Sequence, residues 1–278
     1  VASRRGRGTV LAADTVVYSG VEFTQLTGKI RIEDRRIECY DATAKVYTGG
    51  VSGKTTIDLG DFENPVYSGE FSASQVEAND FISRFTKFGG HLFGKANFNG
   101  TYNAKGWDPD AFLNSLTLDG RGEVRDGKLV TSGAVHGLLS QLGELAKTPI
   151  DKEQTLKDLV SKIRVEDGQV KLDEFQTSLD KLGDLVLDGS YGFDGGLNYT
   201  GSIELSQELS EKLVSGSGLM GGVASLFGNN KTSRITVPFK IGGTVDKPSP
   251  KLDMSGVVGE NLQDKVGDAL QGLLKKKD

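Results

Sequence analysis

Apolar residues at every second position, interrupted at short intervals by glycine, are the feature that most restricts how this chain can fold. Ile235, Val237, Phe239 and Ile241 alternate with Thr236, Pro238, Lys240 and Gly242. Leu197, Tyr199, Ile203 and Leu205 alternate with Asn198, Thr200, Ser202 and Glu204, and Leu185, Leu187, Tyr191 and Phe193 share one face of the preceding run. Successive side chains of a strand point to opposite faces, so such runs read as strands with one apolar and one polar side. Asp194-Gly195-Gly196, Asp126-Gly127 and Asp167-Gly168 supply the positive-φ residues of tight hairpins. Glycine stands at 38 of 278 residues, about twice the usual share of ~7%, with only 6 prolines. Short hairpins rather than βαβ crossovers therefore organise the sheet.

The first half is strand-rich too, over Lys29–Ile32, Ile37–Val46, Thr55–Leu59, Val66–Ser72 and Leu92–Asn103. Around Cys39-Tyr40-Asp41-Ala42 the apolar face changes phase, which predicts a bulge or a strand break. Gly120, Gly122 and Gly189 fall where an apolar face would continue, and strand glycine marks a bend, a bulge or the close approach of another group. Helical spacing appears in Val135, Leu138, Leu139, Leu142 and Leu145, and again in Leu156, Leu159, Val160 and Ile163. Asp80–Lys87 and Pro109–Ser115 read as short helices, the latter with Asp108 as N-cap. Ser206 caps a helix to about Val214, and Val257–Leu274 is a last periodic stretch ending in Lys275–Lys277. The expected fold is α+β and strand-dominated: a strongly curved antiparallel sheet forming a groove or half-barrel, with amphipathic helices packed on it. No proline-rich linker divides the chain, so residues 1–278 form a single region, with 1–88 as its strand-rich N-terminal part and 89–278 as its C-terminal sheet and helices.

The chemistry of an enzyme is hard to find. Gly49–Thr55 has a phosphate loop's composition but the wrong spacing, and Thr56–Leu59 after it reads as a strand rather than a helix, so a glycine-rich hairpin turn is expected. His91 and His136 lack a nucleophile in an elbow context, and no acidic run has EF-hand spacing. A single Cys39 makes neither an intramolecular disulfide nor a cysteine-based metal site. A net charge of −5 gives no electrostatic footprint for nucleic acid. The expectation is a protein that is not an enzyme and needs no metal or cofactor. The start at Val1, with arginines at 4, 5 and 7 and no apolar stretch, is that expected of a piece cut from a longer chain.

The order of several segments resembles the C-terminal region of the AsmA-like proteins of Gram-negative envelopes. They are Ala44-Lys45-Val46-Tyr47-Thr48-Gly49-Gly50 with Gly53 and Thr56-Ile57-Asp58-Leu59; Ser115-Leu116 with Gly120, Gly122 and Arg125-Asp126-Gly127-Lys128; and Val165-Glu166-Asp167-Gly168-Gln169-Val170. Asp188-Gly189-Ser190-Tyr191-Gly192 follows, and then Val237-Pro238-Phe239-Lys240-Ile241-Gly242-Gly243-Thr244 with Pro248 and Leu252-Asp253. The resemblance extends over roughly residues 20 to 255. It implies a periplasmic protein anchored in the inner membrane by an N-terminal helix absent from this chain. It also implies an apolar β-groove that guides phospholipid between the two membranes, or a scaffold for outer-membrane-protein biogenesis that binds no lipid.

An apolar sheet face must be buried, either beneath helices as a closed core or around acyl chains as a groove. In the groove reading Leu197, Tyr199, Ile203, Ile235, Val237, Phe239 and Ile241 contact lipid. Expected partners are phospholipid or another lipid, a membrane surface through residues 257–278, and envelope proteins, but no nucleic acid. Val10 to Tyr18 are expected to continue a sheet begun upstream.

Overall fold

In the computed structural model, which describes residues 9–18, 20–216 and 234–252, the alternation becomes one antiparallel sheet of 14 strands that is not closed into a barrel. The first seven strands are β1 (Thr9–Tyr18), β2 (Val21–Glu33), β3 (Arg36–Val46), β4 (Gly49–Asp58), β5 (Val66–Glu77), β6 (Leu92–Lys105) and β7 (Thr117–Val130). There follow β8 (Glu153–Leu156), β9 (Leu159–Glu166), β10 (Gln169–Leu179), β11 (Gly183–Gly192), β12 (Leu197–Leu205), β13 (Thr236–Gly243) and β14 (Pro248–Leu252). Each strand pairs with the next in the chain, except that β8 and β9 end to end share the place between β7 and β10. Helices α1 (Ala78–Phe85), α2 (Pro109–Ser115), α3 (Gly133–Leu145) and α4 (Gln207–Gly216) sit in the connections. The stretch Val257–Leu274 lies outside the described residues.

Cross-strand partners share a face, so the registers trace one apolar face through the whole sheet. One row runs Ala44, Val51, Ala73, Phe98, Gly122 and Ser161; another ends in Leu185, Ile203 and Val237. The opposite face is polar and laced by cross-strand ion pairs, among them Lys29–Asp41 (2.8 Å), Arg36–Asp58 (3.0 Å), Lys54–Glu70 (2.9 Å) and Arg164–Asp173 (2.7 Å).

Bulges keep the apolar face continuous while bending the sheet. Gln25, Asp41, Gln75, Asp126 and Glu174 occupy the left-handed region, with φ between 48° and 56°, at or beside breaks in register. Each adds one residue to its strand, raises the local twist and flips the side-chain phase. The apolar face therefore passes from Cys39 to Ala42, from Ala73 to Val76 and from Leu172 to Phe175 in steps of three. The freed amides find partners: Gln75 N–H donates to Asn97 Oδ1 (2.9 Å) and Glu174 N–H to Asp188 Oδ1 (2.8 Å).

Three sequence expectations are corrected by this geometry. Leu156, Leu159, Val160 and Ile163 are not a helix: Leu156 ends β8 and the others lie in β9. The break at Lys157-Asp158 puts Leu156 and Leu159 on one face by the same three-residue step, and β-branched Val160, Ile163 and Val165 suit the strand. Asp126-Gly127 is a bulge within β7 rather than a hairpin turn. Gly49–Thr55 is strand β4 rather than a turn, because the turn falls one step earlier at Tyr47-Thr48, where Tyr47 adopts φ 50°. The other described helices and the turns at Asp167-Gly168 and Asp194-Gly195-Gly196 lie where expected.

The main core forms where helices cover the apolar face. Leu139, Leu142 and Ala146 at α3 and Leu209 and Leu213 of α4 pack with Leu156, Leu179, Leu185, Ile203, Leu205, Val237 and Phe239. The connection after α1 also crosses to this part of the sheet: Phe88 meets the Tyr191 ring edge-on at 5.0 Å, and Lys87 lies 3.6 Å from Asp246. Just before β13, Arg234 donates to Asp184 (2.6 Å) and through Nε to the Leu205 carbonyl (2.7 Å), tying three strands together.

Two stability outcomes are expected. Gly189 has φ +150°, and a Cβ there would come within 2.2 Å of the Asn198 carbonyl oxygen and 2.7 Å of the Tyr199 ring. Gly189→Ala should cost about 2–3 kcal/mol and lower the melting temperature by roughly 4–12 °C; an unchanged melt would refute the packing. Hydrogen bonds from Ser178 and Arg234 hold the Asp184 carboxyl below its ordinary pKa. The stability this confers is complete above the unfolded value of about 3.9 and lost as pH falls through the lowered folded value. Arg234→Met should weaken that acid dependence, measured as melting temperature between pH 6 and pH 3.

Candidate functional site

Among the described residues, α3 and α4 leave the same apolar face open over β1 to β5 and the middle of β6, whose two ends are met by α1 and α2. There the sheet curves around a concavity of about 520 Å³, inside the 300–1,000 Å³ range typical of ligand pockets. Its walls come from Val16 of β1, Phe23 and Leu26 of β2, Cys39, Ala42 and Ala44 of β3, Val51 and Thr55 of β4, Phe71 of β5 and Tyr102 of β6. Bulges at Gln25 and Asp41 allow Phe23 with Leu26, and Cys39 with Ala42, to face the same side. A small cluster of Val21, Val46 and Val76, with Phe23, Val51 and Ala73 against it, forms one wall.

Aromatic rings lying over glycine make the floor smooth. A Cβ at Gly69 would come within 2.8 Å of the Tyr102 ring, and one at Gly120 within 2.5 Å of the Phe98 ring. Phe71 stacks on Phe98 with centroids 5.1 Å apart and meets Tyr102 at 6.2 Å. The polar atoms on this floor satisfy each other: Thr55 Oγ1 and the Tyr102 hydroxyl are 2.7 Å apart. Lys54 and Glu70 border the trough and pair with each other at 2.9 Å. A long apolar ligand can thus lie across the strands without stranding a donor or a charge.

The residues assigned from sequence fall elsewhere on this face and divide into two groups. Ile203, Ile235, Val237 and Phe239 are each under 10% exposed, inside the cluster covered by α3 and α4. Leu197, Tyr199 and Ile241 are half-buried at its margin. Burial, reinforced by the neighbouring Tyr191, pushes the Tyr199 hydroxyl up to about 12. The trough residues of the first half were missed as a site; the signal was the phase change at Cys39–Ala42 combined with the absence of a long helical pattern near these strands.

The polar groups considered for chemistry stay apart. His91 Nδ1 lies 2.8 Å from the Val130 carbonyl oxygen, while His136 lies between Thr131 Oγ1 (3.2 Å) and Ser140 Oγ (3.3 Å) in the first turns of α3. Among the described residues no group of three or more His, Cys, Asp or Glu side chains is arranged to hold a metal ion. Compared with protein-family models, curated proteins and solved structures, the chain has no significant match to any of them.

The open and covered parts of the face should respond differently to charge. Phe239→Asp buries a carboxylate beneath helices and should cost on the order of 3–5 kcal/mol or prevent folding. Phe71→Asp leaves its carboxylate in contact with water and should stay folded. Thermal melts of the two purified variants, side by side, decide the point; equal losses would mean that the trough is closed in solution.

Proposed function

We propose that this chain is a non-enzymatic lipid-binding module whose trough over β1 to β6 holds acyl chains. The observation that carries the reading is the mainly apolar concave face built from β1 to β6, which among the described residues no helix fills, while the reverse face carries cross-strand ion pairs. Water against such a wall is unfavourable by roughly 25 cal/mol per Å² of apolar surface. An acyl chain crossing strands spaced about 4.8 Å apart would remove that surface from water along the curve of the sheet. The resemblance to AsmA-like envelope proteins supports placing the module in the periplasm, with phospholipid as its cargo between the inner and outer membranes and an inner-membrane anchor upstream. No helix among the described residues is long and apolar enough to cross a membrane.

One observation favours the second reading, a scaffold for outer-membrane-protein assembly. Among the described residues strand β1 pairs only with β2, and it exposes Val10 and Val17 to solvent, without proline along its 10 residues. The other edge, β14, carries Pro248 and Pro250, which cannot donate to a further strand. A strand from upstream or from a partner can therefore be added at β1.

Native mass spectrometry of the purified chain separates the two readings: co-purifying phospholipid or fatty acid supports the first. Cys39, the single cysteine, lines the trough. Loading with a fatty acid should slow its reaction with a thiol reagent several-fold, and Phe71→Asp should restore the rate. A reaction rate indifferent to lipid would exclude this trough as the site.

A further inference from the structure

One inner-face row beyond Cys39, Thr55 and Tyr102 of the trough lie Ile37, Ile57, Tyr67 and Ala104, with Ile32 beside Ile37 on β2. From that row four aromatic rings lead outward in sequence. Phe112 of α2 lies 5.3 Å from Tyr67, Tyr67 lies 6.4 Å from Trp107, and Trp107 lies 5.7 Å from Phe62. Phe62 and Ile32 are each 64% exposed, Trp107 53% and Leu113 44%. Large apolar side chains gathered in this way at a solvent-facing edge mark an interaction surface.

The ridge is held in place by the chain around it. Trp107 Nε1–H donates to the Phe62 carbonyl (2.7 Å), and Gly106 N–H to the carbonyl of buried Pro65 (3.0 Å). Asp108 caps α2 by accepting from the Asp110 and Ala111 amides, and the Ser115 hydroxyl ties the end of α2 to Lys105. Little ordering is left to be done on binding, which lowers its cost. The charge is one-sided: segments 60–66 and 106–116 contain Asp61, Glu63, Asp108 and Asp110 and no lysine or arginine. The cations around them, Lys105 and, beside Ile32, Arg31, Arg35 and Arg36, are outnumbered by these four carboxylates with Glu33, Asp34 and Asp58, and Arg36 is itself paired with Asp58 (3.0 Å).

We infer that this ridge is a membrane-docking rim, seating the mouth of the trough on a lipid surface whose headgroups present ammonium groups. The inference rests on the acyl-chain reading of the trough. A chain that leaves a bilayer through water forfeits about 0.8 kcal/mol per methylene, so a lipid-carrying trough works only where its mouth meets the headgroups. Trp and Tyr rings sit at that depth, apolar body inward and polar tip outward. Ammonium groups are drawn to ring faces and to the surrounding carboxylates, whereas an anionic surface is repelled by the same carboxylates.

Trp107 is the only tryptophan, so its emission reports on this rim alone. With vesicles of phosphatidylcholine it should shift to the blue. Vesicles of equal parts phosphatidylcholine and phosphatidylglycerol should give a weaker shift at low salt, and salt should remove the difference. Phe62→Ser should weaken vesicle binding about tenfold with an unchanged melt. No shift with phosphatidylcholine, a stronger shift with the anionic vesicles, or a shift only with a soluble Lys/Leu amphipathic peptide would each overturn the proposal, the last assigning the ridge to a protein partner. Uptake of a monomeric fluorescent fatty acid, followed through protection of Cys39, tests the trough separately. Uptake without an emission shift removes the rim and keeps the trough; an emission shift without uptake removes the trough.

Discussion

One apolar face, carried without interruption across 14 strands, must be kept from water by a chain with only four described helices to cover it. That shortage governs the molecule. A flat sheet of this size would leave most of the face wet, and a fully closed barrel would need no helices inside it. The structure takes a middle course, in which bulged strands curl the sheet and α3 and α4 fill the curl over the later strands. Among the described residues no helix fills the curl over β1 to β5 and the middle of β6, and the concavity is the consequence.

The bulges explain both what could be read in the sequence and what could not. A strand that keeps one face through a bulge shows apolar residues at i and i+3, the spacing that otherwise signals a helix turn. Cys39/Ala42 reveals itself because clean alternation surrounds it. Leu156/Leu159 does not, because Val160 and Ile163 complete a helical pattern, so that two short strands and the break between them carry the spacing of one helix. Asp126-Gly127 misled for a related reason: a residue that tolerates positive φ serves a hairpin and a bulge equally well. Strand existence, the meander order and the capped helices were legible, since each rests on a local signal such as Asp108-Pro109 before α2.

Site position was not legible by the same means. Val237 and Phe239 in the core, and Val51 and Phe71 in the trough, carry the same alternating pattern, because an inner face looks alike whether helix or ligand covers it. What separates them is non-local. The core strands receive α3 and α4 from the β7–β8 and β12–β13 connections, whereas β1 to β5 are joined by short connections that bring nothing back over the sheet. Loop length, more than strand composition, was the usable signal.

The two ends of the molecule's charge pattern fit this division. On the convex face cations are repeatedly met across a strand gap by carboxylates, as in Lys29–Asp41 and Lys54–Glu70, and such exposed pairs add little stability individually. Their stronger effect is on orientation, since a charged surface cannot be turned inward around a ligand or a core. The convex face is thereby committed to water along its length, and the concave face is left as the only side on which helices or acyl chains can be accommodated. Where the ion pairs give way to Phe62, Trp107 and Leu113 at the end of the trough, that commitment lapses, and a surface that is neither core nor fully solvated appears beside the opening.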